Sequence, residues 1–352
     1  MKKMALVLAA VLASGMVLTA CGGSGNGAKE TTGNQASTTT TTTTGGLDLA
    51  VQIGPDPETV DPALNTAIDA SNVILHAFET LLTFDENNDI VPGQAESFDV
   101  SDDGLTYTFH LRDGLKWSDG SDFTAEDFVY SWKRLADPMT AAPYAADMLS
   151  MVKGYDEAAA GDIDALGVSA PDAKTLVVEL SSPCVYFDKI ITHASMAPVK
   201  KDVVDANGDQ WALAPETYIS NGPLKMIEWV PGSHMTFAKN ENYWNADKVT
   251  LNSLKFVLME DSNAAYSAYQ TGEVQMIKDI PTEEIPSLQD SPDYHLDPRL
   301  ATSYTIFNTQ KAPFDDAKVR MALSLAVDRE YVANTLMIGC LLYTSDAADD
   351  KA

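Results

Sequence analysis

The side chains of this chain that could attack a bond, carry a proton or hold a metal do not fall into spacings that serve those ends. The five histidines, His76, His110, His193, His234 and His295, show no H-E-x-x-H pair or other metal-ligand spacing. No serine sits in a G-x-S-x-G elbow, and no P-loop is present to cradle a nucleotide phosphate. Asp99, Ser101, Asp103 and Gly104 imitate the opening of a calcium loop. The twelfth position is His110, however, where a bidentate glutamate is needed, and a hairpin turn explains the pattern better. An enzyme therefore finds little support, and neither a cofactor nor a metal is expected.

Residues Gly104–Pro138 show how the remaining side chains are positioned. Leu105, Tyr107, Phe109 and Leu111 alternate with Thr106, Thr108 and His110, the period of a half-buried strand. Asp113-Gly114 and Ser118-Asp119-Gly120 are turn signals. A helix then follows, with Thr124 at the N-cap, Glu126 and Asp127 complementing the first turn, and Phe128, Val129, Trp132 and Leu135 on one apolar face.

As a whole string this stretch resembles the oligopeptide-binding proteins of peptide ABC importers, the extracellular solute-binding protein family 5. Further blocks fit in the family's order: residues 57–66 (PETVDPALNT), 77–96, 194–201, 218–244, 268–276 and 308–330. The resemblance implies an α/β, periplasmic-binding-protein-like (Venus flytrap) fold of two lobes, with an α+β domain inserted in the first. On that basis residues 47–78 and 201–300 make the first lobe, 79–200 the inserted domain, and 301–339 a hinge strand and the start of a second lobe that is mostly missing here. A helix over Ser71–Leu82, with Ile74, Leu75, Phe78, Leu81 and Leu82 inward, is expected to bridge lobe and insertion. Tyr304 to Phe307 is expected as a crossing strand, followed by a helical stretch after Asp315 with Val319, Ala322, Leu323 and Ala326 on one face.

The same resemblance implies a monomer that binds an extended oligopeptide between its lobes and hands it to ABC permease and ATPase subunits. Four ligand-binding positions carry over: Thr66 and Ile68 in the loop after Asp61-Pro62, Tyr144, and Tyr304. A partly buried core tyrosine is the plainer alternative for each of the two rings. Thr66 and Ile306 stand where well-known peptide binders carry glutamates, so charge in the pocket is expected to differ. Trp117, Trp132, Trp211, Trp229 and Trp244 lie inside family structural blocks and are read as core residues, not sugar platforms. Family members for nickel or nickel chelate, a sugar oligomer or haem, and peptide-signal receptors, remain alternatives.

The amino-terminal residues read as an export signal: Lys2 and Lys3, an apolar run from Met4 to Val17, then Leu18-Thr19-Ala20-Cys21. The last four resemble a bacterial lipobox, so residues 1–20 are expected to be a lipoprotein signal peptide and Cys21 the lipidated residue. The alternative is an ordinary signal peptide with an incidental cysteine. Residues 21–46 are rich in threonine and glycine, with seven consecutive threonines from Thr38 to Thr44, and read as a flexible tether. A tethered lipoprotein at the outer face of a Gram-positive membrane fits both features.

With 23 basic against 51 acidic residues the formal charge is −28, which argues against nucleic acid as a partner. The 352 residues, 45% of them hydrophobic, are enough for two packed domains. Cys184 and Cys340 offer no disulfide framework. The family match fails after about Gly339. Residues 340–352 are expected to be adapter-derived, since Cys340–Asp350 back-translate into something like a sequencing-library adapter, the alternative being a genuine acidic tail.

Overall fold

The computed structural model describes residues 46–296 and 304–337. The expected signal peptide, Cys21, the expected tether up to residue 45 and the 340–352 tail lie outside the described residues. Ten strands follow along the described chain: β1 (Leu47–Gly54), β2 (Leu82–Phe84), β3 (Ile90–Pro92), β4 (Ala95–Val100), β5 (Thr106–Leu111), β6 (Val168–Asp172), β7 (Thr175–Glu179), β8 (Leu224–Val230), β9 (His234–Lys239) and β10 (Leu251–Leu258). They form two four-stranded sheets, ordered β1-β10-β9-β8 and β4-β5-β7-β6, and a small β2-β3 hairpin. All neighbouring strands are antiparallel except β1 and β10.

The alternation in the sequence is realised in β5, where Tyr107, Phe109 and Leu111 are buried and the residues between them half-exposed. Its hairpin with β4 turns at Ser101–Gly104. The Gly104 N–H donates to the Ser101 carbonyl at 2.8 Å, and Gly104 has φ +71°, a left-handed value that glycine adopts without strain. The Asp103 carboxylate accepts from the Ser101 hydroxyl at 2.6 Å and from the Leu105 N–H at 3.1 Å, so these oxygens shape the turn.

Helix α2 (Ala125–Ala136) begins where expected. The Asp127 carboxylate reaches back to accept the Thr124 N–H at 2.8 Å, half of a capping box. Its face of Phe128, Val129, Trp132 and Leu135 is buried against β6 and β7. Edge-on aromatic contacts run from Trp117 to Phe123 (4.9 Å), Phe128 (5.4 Å), Trp132 (6.3 Å) and Phe187 (6.5 Å). One hydrophobic cluster continues from here into the other sheet through Met235, Phe237, Leu254 and Phe256, and into Val73 and Ile74.

The bridging helix differs from its expectation. Helix α1 spans Ile68–Ala77, not Ser71–Leu82, so Ile68 opens a helix instead of lying in a loop. Phe78 is already extended at φ −116° and ψ 150°. The backbone groups that would have prolonged the helix are taken from far along the chain. Ala77 O accepts the Gly222 N–H at 2.8 Å, and Glu79 exchanges two hydrogen bonds with the Asn221 amide, at 3.1 and 2.9 Å. A Cβ on residue 222 would lie 2.6 Å from the Ala77 oxygen, so glycine permits this approach. Ile74, Phe78, Leu81 and Leu82 are buried as expected, but Leu75 is 45% exposed and Val73 takes the inward place.

Two further corrections concern aromatic residues and the far end of the described chain. Trp117, Trp132 and Trp211 are core residues, whereas Trp229 and Trp244 are only partly buried. Residues Tyr304–Phe307 form no strand, since no ladder partner faces them among the described residues. A strand needs a neighbour's backbone to exist. The helix Ala317–Ala326 does form, capped by Asp316, whose carboxylate accepts the Lys318 N–H at 2.8 Å, but none of its residues is buried.

Candidate ligand-binding site

The loop that carries Thr66 is fixed by one buried acid. Asp61 is 2% exposed, and its carboxylate accepts from Arg134 Nη1 (2.9 Å), Arg134 Nη2 (2.6 Å), Trp211 Nε1 (2.9 Å) and the Ala63 N–H (3.0 Å). Its own carbonyl accepts the Leu64 and Asn65 N–H groups, and the Tyr218 hydroxyl donates to Val60 O at 2.9 Å. Burial pulls the Arg134 guanidinium down, but the hydrogen bonds and charge of Asp61 outweigh it and hold Arg134 above its usual range. Burial and the Asp61 charge push the Tyr218 hydroxyl well up. A bidentate pair whose carboxylate also accepts from Trp211 and Ala63 offsets part of the cost of burying its charges. The loop then leads through Asn65, whose Oδ1 accepts the Ala67 N–H at 2.8 Å, into α1. Thr66 and Ile68 project outward from this fixed base, Ile68 64% exposed.

Tyr144 is half-buried, and its ring meets His193 edge-on at 5.5 Å. His193 Nδ1 accepts the Ser195 N–H at 3.1 Å, so the neutral imidazole is the form this contact uses. Burial lowers the His193 pKa, against the opposing charge of Asp147. The adjoining turn, Ala194–Met196, packs against α1, so Tyr144 and the helix opened by Ile68 border the same segment. Tyr304 is 75% exposed. Thr66, Ile68 and Tyr144 thus lie on one packed body, while Tyr304 is not brought into contact with them among the described residues.

A second polar centre was not apparent from the sequence. The Glu79 carboxylate accepts from Gln94 Nε2 (2.8 Å), Trp244 Nε1 (2.7 Å) and the Tyr243 hydroxyl, and Arg112 lies 3.6 Å above the Trp244 ring. Burial raises the Glu79 pKa, opposed by the Tyr243, Trp244 and Gln94 hydrogen bonds and by Arg112. Together with the Asn221 bonds, this ties the β4–β7 region to the β8–β9 region. The available signal for Asp61 was an acid among apolar neighbours, Val60 and Pro62-Ala63. For Glu79 there was none, since its partners lie up to 165 positions away.

Two four-stranded sheets, one with a parallel β1–β10 pair, and a loop fixed by a buried ion pair describe an α/β scaffold, and comparison with known structures identifies it. The Haemophilus influenzae oligopeptide-binding protein OppA in complex with RPPGFSPFR superposes with a TM-score of 0.75 at 33% identity, over 82% of this chain and 57% of that one. The Escherichia coli murein tripeptide binding protein MppA gives 0.79 at 34% identity, over 82% and 57%. The periplasmic-binding-protein fold is therefore established for the shared part. The profile of the bacterial extracellular solute-binding proteins, family 5 Middle, matches residues 89–341, and the chain belongs to that family. Among curated relatives, the periplasmic oligopeptide-binding protein OppA of Salmonella typhimurium is 38% identical over 80% of this chain and 52% of its own length. The oligopeptide-binding protein OppA of Bacillus subtilis is 32% identical over 96% and 62%. The chain spans between half and two thirds of the length of these relatives.

Proposed function

We propose that this chain belongs to the substrate-binding subunit of an ABC importer that takes up oligopeptides, working outside the membrane and performing no chemistry on its ligand. The observation that carries this reading is the loop after Asp61. It is held rigid by a buried ion pair, yet presents Thr66 and Ile68 outward from the same body that holds Tyr144. A fixed base with exposed hydrogen-bonding and apolar groups suits main-chain recognition of an extended peptide, which is blind to side chains. Tyrosine suits the same task, its ring covering ligand and its hydroxyl pairing with backbone. The names of the relatives support peptide as the ligand class.

In this reading the β1-β10-β9-β8 sheet belongs to the first lobe and the β4–β7 sheet to the inserted domain, joined at Glu79. Residues from Tyr304 onward open the second lobe, Tyr304 facing the ligand from the hinge. Cys21 carries the lipid that holds the protein at the outer face of the membrane, and permease and ATPase subunits are the partners. Calorimetry of the full-length gene product with peptides of two to eight residues tests the ligand class. Sequence-tolerant binding is expected. Tight binding of a nickel chelate, a sugar oligomer or haem with no peptide binding overturns it. Mass spectrometry of membrane-extracted protein tests the anchor, which fails if the mature terminus is an unmodified residue other than Cys21.

A further inference from the structure

Gln52, near the end of β1, is completely buried, and both polar atoms of its side chain are hydrogen-bonded. Its Nε2 donates to Met259 O at 2.7 Å and to Asp279 Oδ2 at 3.0 Å, its Oε1 accepts the Lys278 N–H at 3.1 Å, and its own N–H donates to Met276 O at 2.9 Å. The segment 276–279 is thereby clamped along the open edge of β1. From this clamp the Lys278 ammonium reaches Asp69 Oδ1 at 3.0 Å and Asp279 Oδ2 at 3.0 Å. Asp69 is the second residue of α1, next to Ile68. On its other side the Asp69 carboxylate fills the space beside Gly54, where a Cβ would come within 2.6 Å of Oδ2 and φ is +107°. The end of β1, the start of α1 and the 276–279 segment thus meet in one polar knot.

We infer that Lys278 is a positioning residue for the ligand loop: it holds the amino end of α1, and with it Thr66 and Ile68, in place through Asp69. The inference rests on the ligand-loop reading above. The α1 start has no side-chain N-cap, Ala67 standing at that position, so the Lys278–Asp69 pair adds to the restraint that Asn65 provides through its bonds to the Ala67 N–H and the Ser71 hydroxyl. Asp69 also sits in the first helical turn, where its charge favours the dipole and where an unpaired ammonium alone would not be welcome. The pair is partly shielded, with side-chain exposures of 34% for Lys278 and 18% for Asp69, which makes it stronger than a fully solvated ion pair.

The test compares Lys278→Met, Lys278→Arg and the exchanged pair Asp69→Lys/Lys278→Asp in the full-length gene product, with trialanine and RPPGFSPFR as probes. Lys278→Met should weaken both peptides roughly fivefold and speed amide exchange at residues 66–71 in the ligand-free protein, while exchange in β5 and the melting temperature stay unchanged. Lys278→Arg should restore affinity and slow exchange again, and the exchanged pair should recover part of both. Unchanged exchange at 66–71 in Lys278→Met overturns the inference whatever the ligand is. If the unaltered protein binds neither peptide but the exchange effect is present, the peptide reading falls and the positioning role stands. Loss of affinity without rescue by arginine also overturns the role, since it would assign the effect to general destabilisation.

Discussion

Helix α2 and the helix Ala317–Ala326 present nearly the same pattern, a capping aspartate or threonine and apolar residues three and four apart, yet their surroundings are opposite. In α2, seven of the twelve residues are buried, and Trp132 donates its indole N–H to Met196 O at 3.1 Å. In the second helix no residue is buried, and Met321 and Leu325 are 61% and 76% exposed. The contrast teaches that an amphipathic pattern specifies a face and not what covers it. The energy of burial resides in the partner.

The sharpest way to break the contrast is to truncate an apolar residue on each helix. Trp132→Ala should lower unfolding free energy by about 4 kcal/mol, as large-to-small changes in packed cores do. Chemical denaturation measures it, and a loss under 1 kcal/mol would mean that the α2 face is not the core it looks to be. Asp61→Ala should cost a similar amount, about 3–5 kcal/mol, because Arg134 in the last turn of that helix would be left as an unpaired, largely buried charge. A stable Asp61→Ala protein with an undisturbed α2 would show the ion pair to be dispensable.

Tyr144→Ala should weaken peptide binding by about 1 kcal/mol or more, with little change in stability, as calorimetry can show. Glu79 offers a pH test of the junction. Its folded pKa is raised above the ordinary glutamate value of 4.5, so its contribution is fully present below that value and lost as pH rises through the folded pKa. Glu79→Gln should accordingly flatten the fall in melting temperature just above pH 4.5. The smallest effect belongs to the exposed helix. Leu325→Ser should change stability by less than about 0.5 kcal/mol, and an effect approaching that of Trp132→Ala would erase the contrast.

What could be read from the sequence was what is decided locally. The alternation of β5, the turn at Gly104 and the face of α2 each depend on residues within a few positions, and all three are realised. The limits of α1 were misread because Phe78, Leu81 and Leu82 continue an inward spacing, while the groups that end the helix come from Asn221 and Gly222. The family block around Trp244 points to a core residue, but its indole serves Glu79 and its face meets Arg112. Of the candidate site, the positions of Thr66, Ile68 and Tyr144 come from the family resemblance, and the structure shows the first two exposed and the ring of Tyr144 half-buried. The ion pair beneath the loop was not legible in the sequence, since Asp61 and Arg134 are 73 positions apart and neither forms part of a local motif.

The parallel pairing of β1 with β10 also sets an order of assembly. Leu47 lies against Leu251, and Gln52 reaches Met259 across 207 positions of chain. No hairpin can close such a pair, and long-range parallel contacts form slowly because the intervening chain must first be ordered. The β4–β7 sheet and α2, whose pairings span far fewer positions than that of β1 with β10, can collapse while β1 is still without a neighbour on either edge. On a growing polypeptide β1 emerges first among the described strands and must wait for β10 before its sheet can close around it.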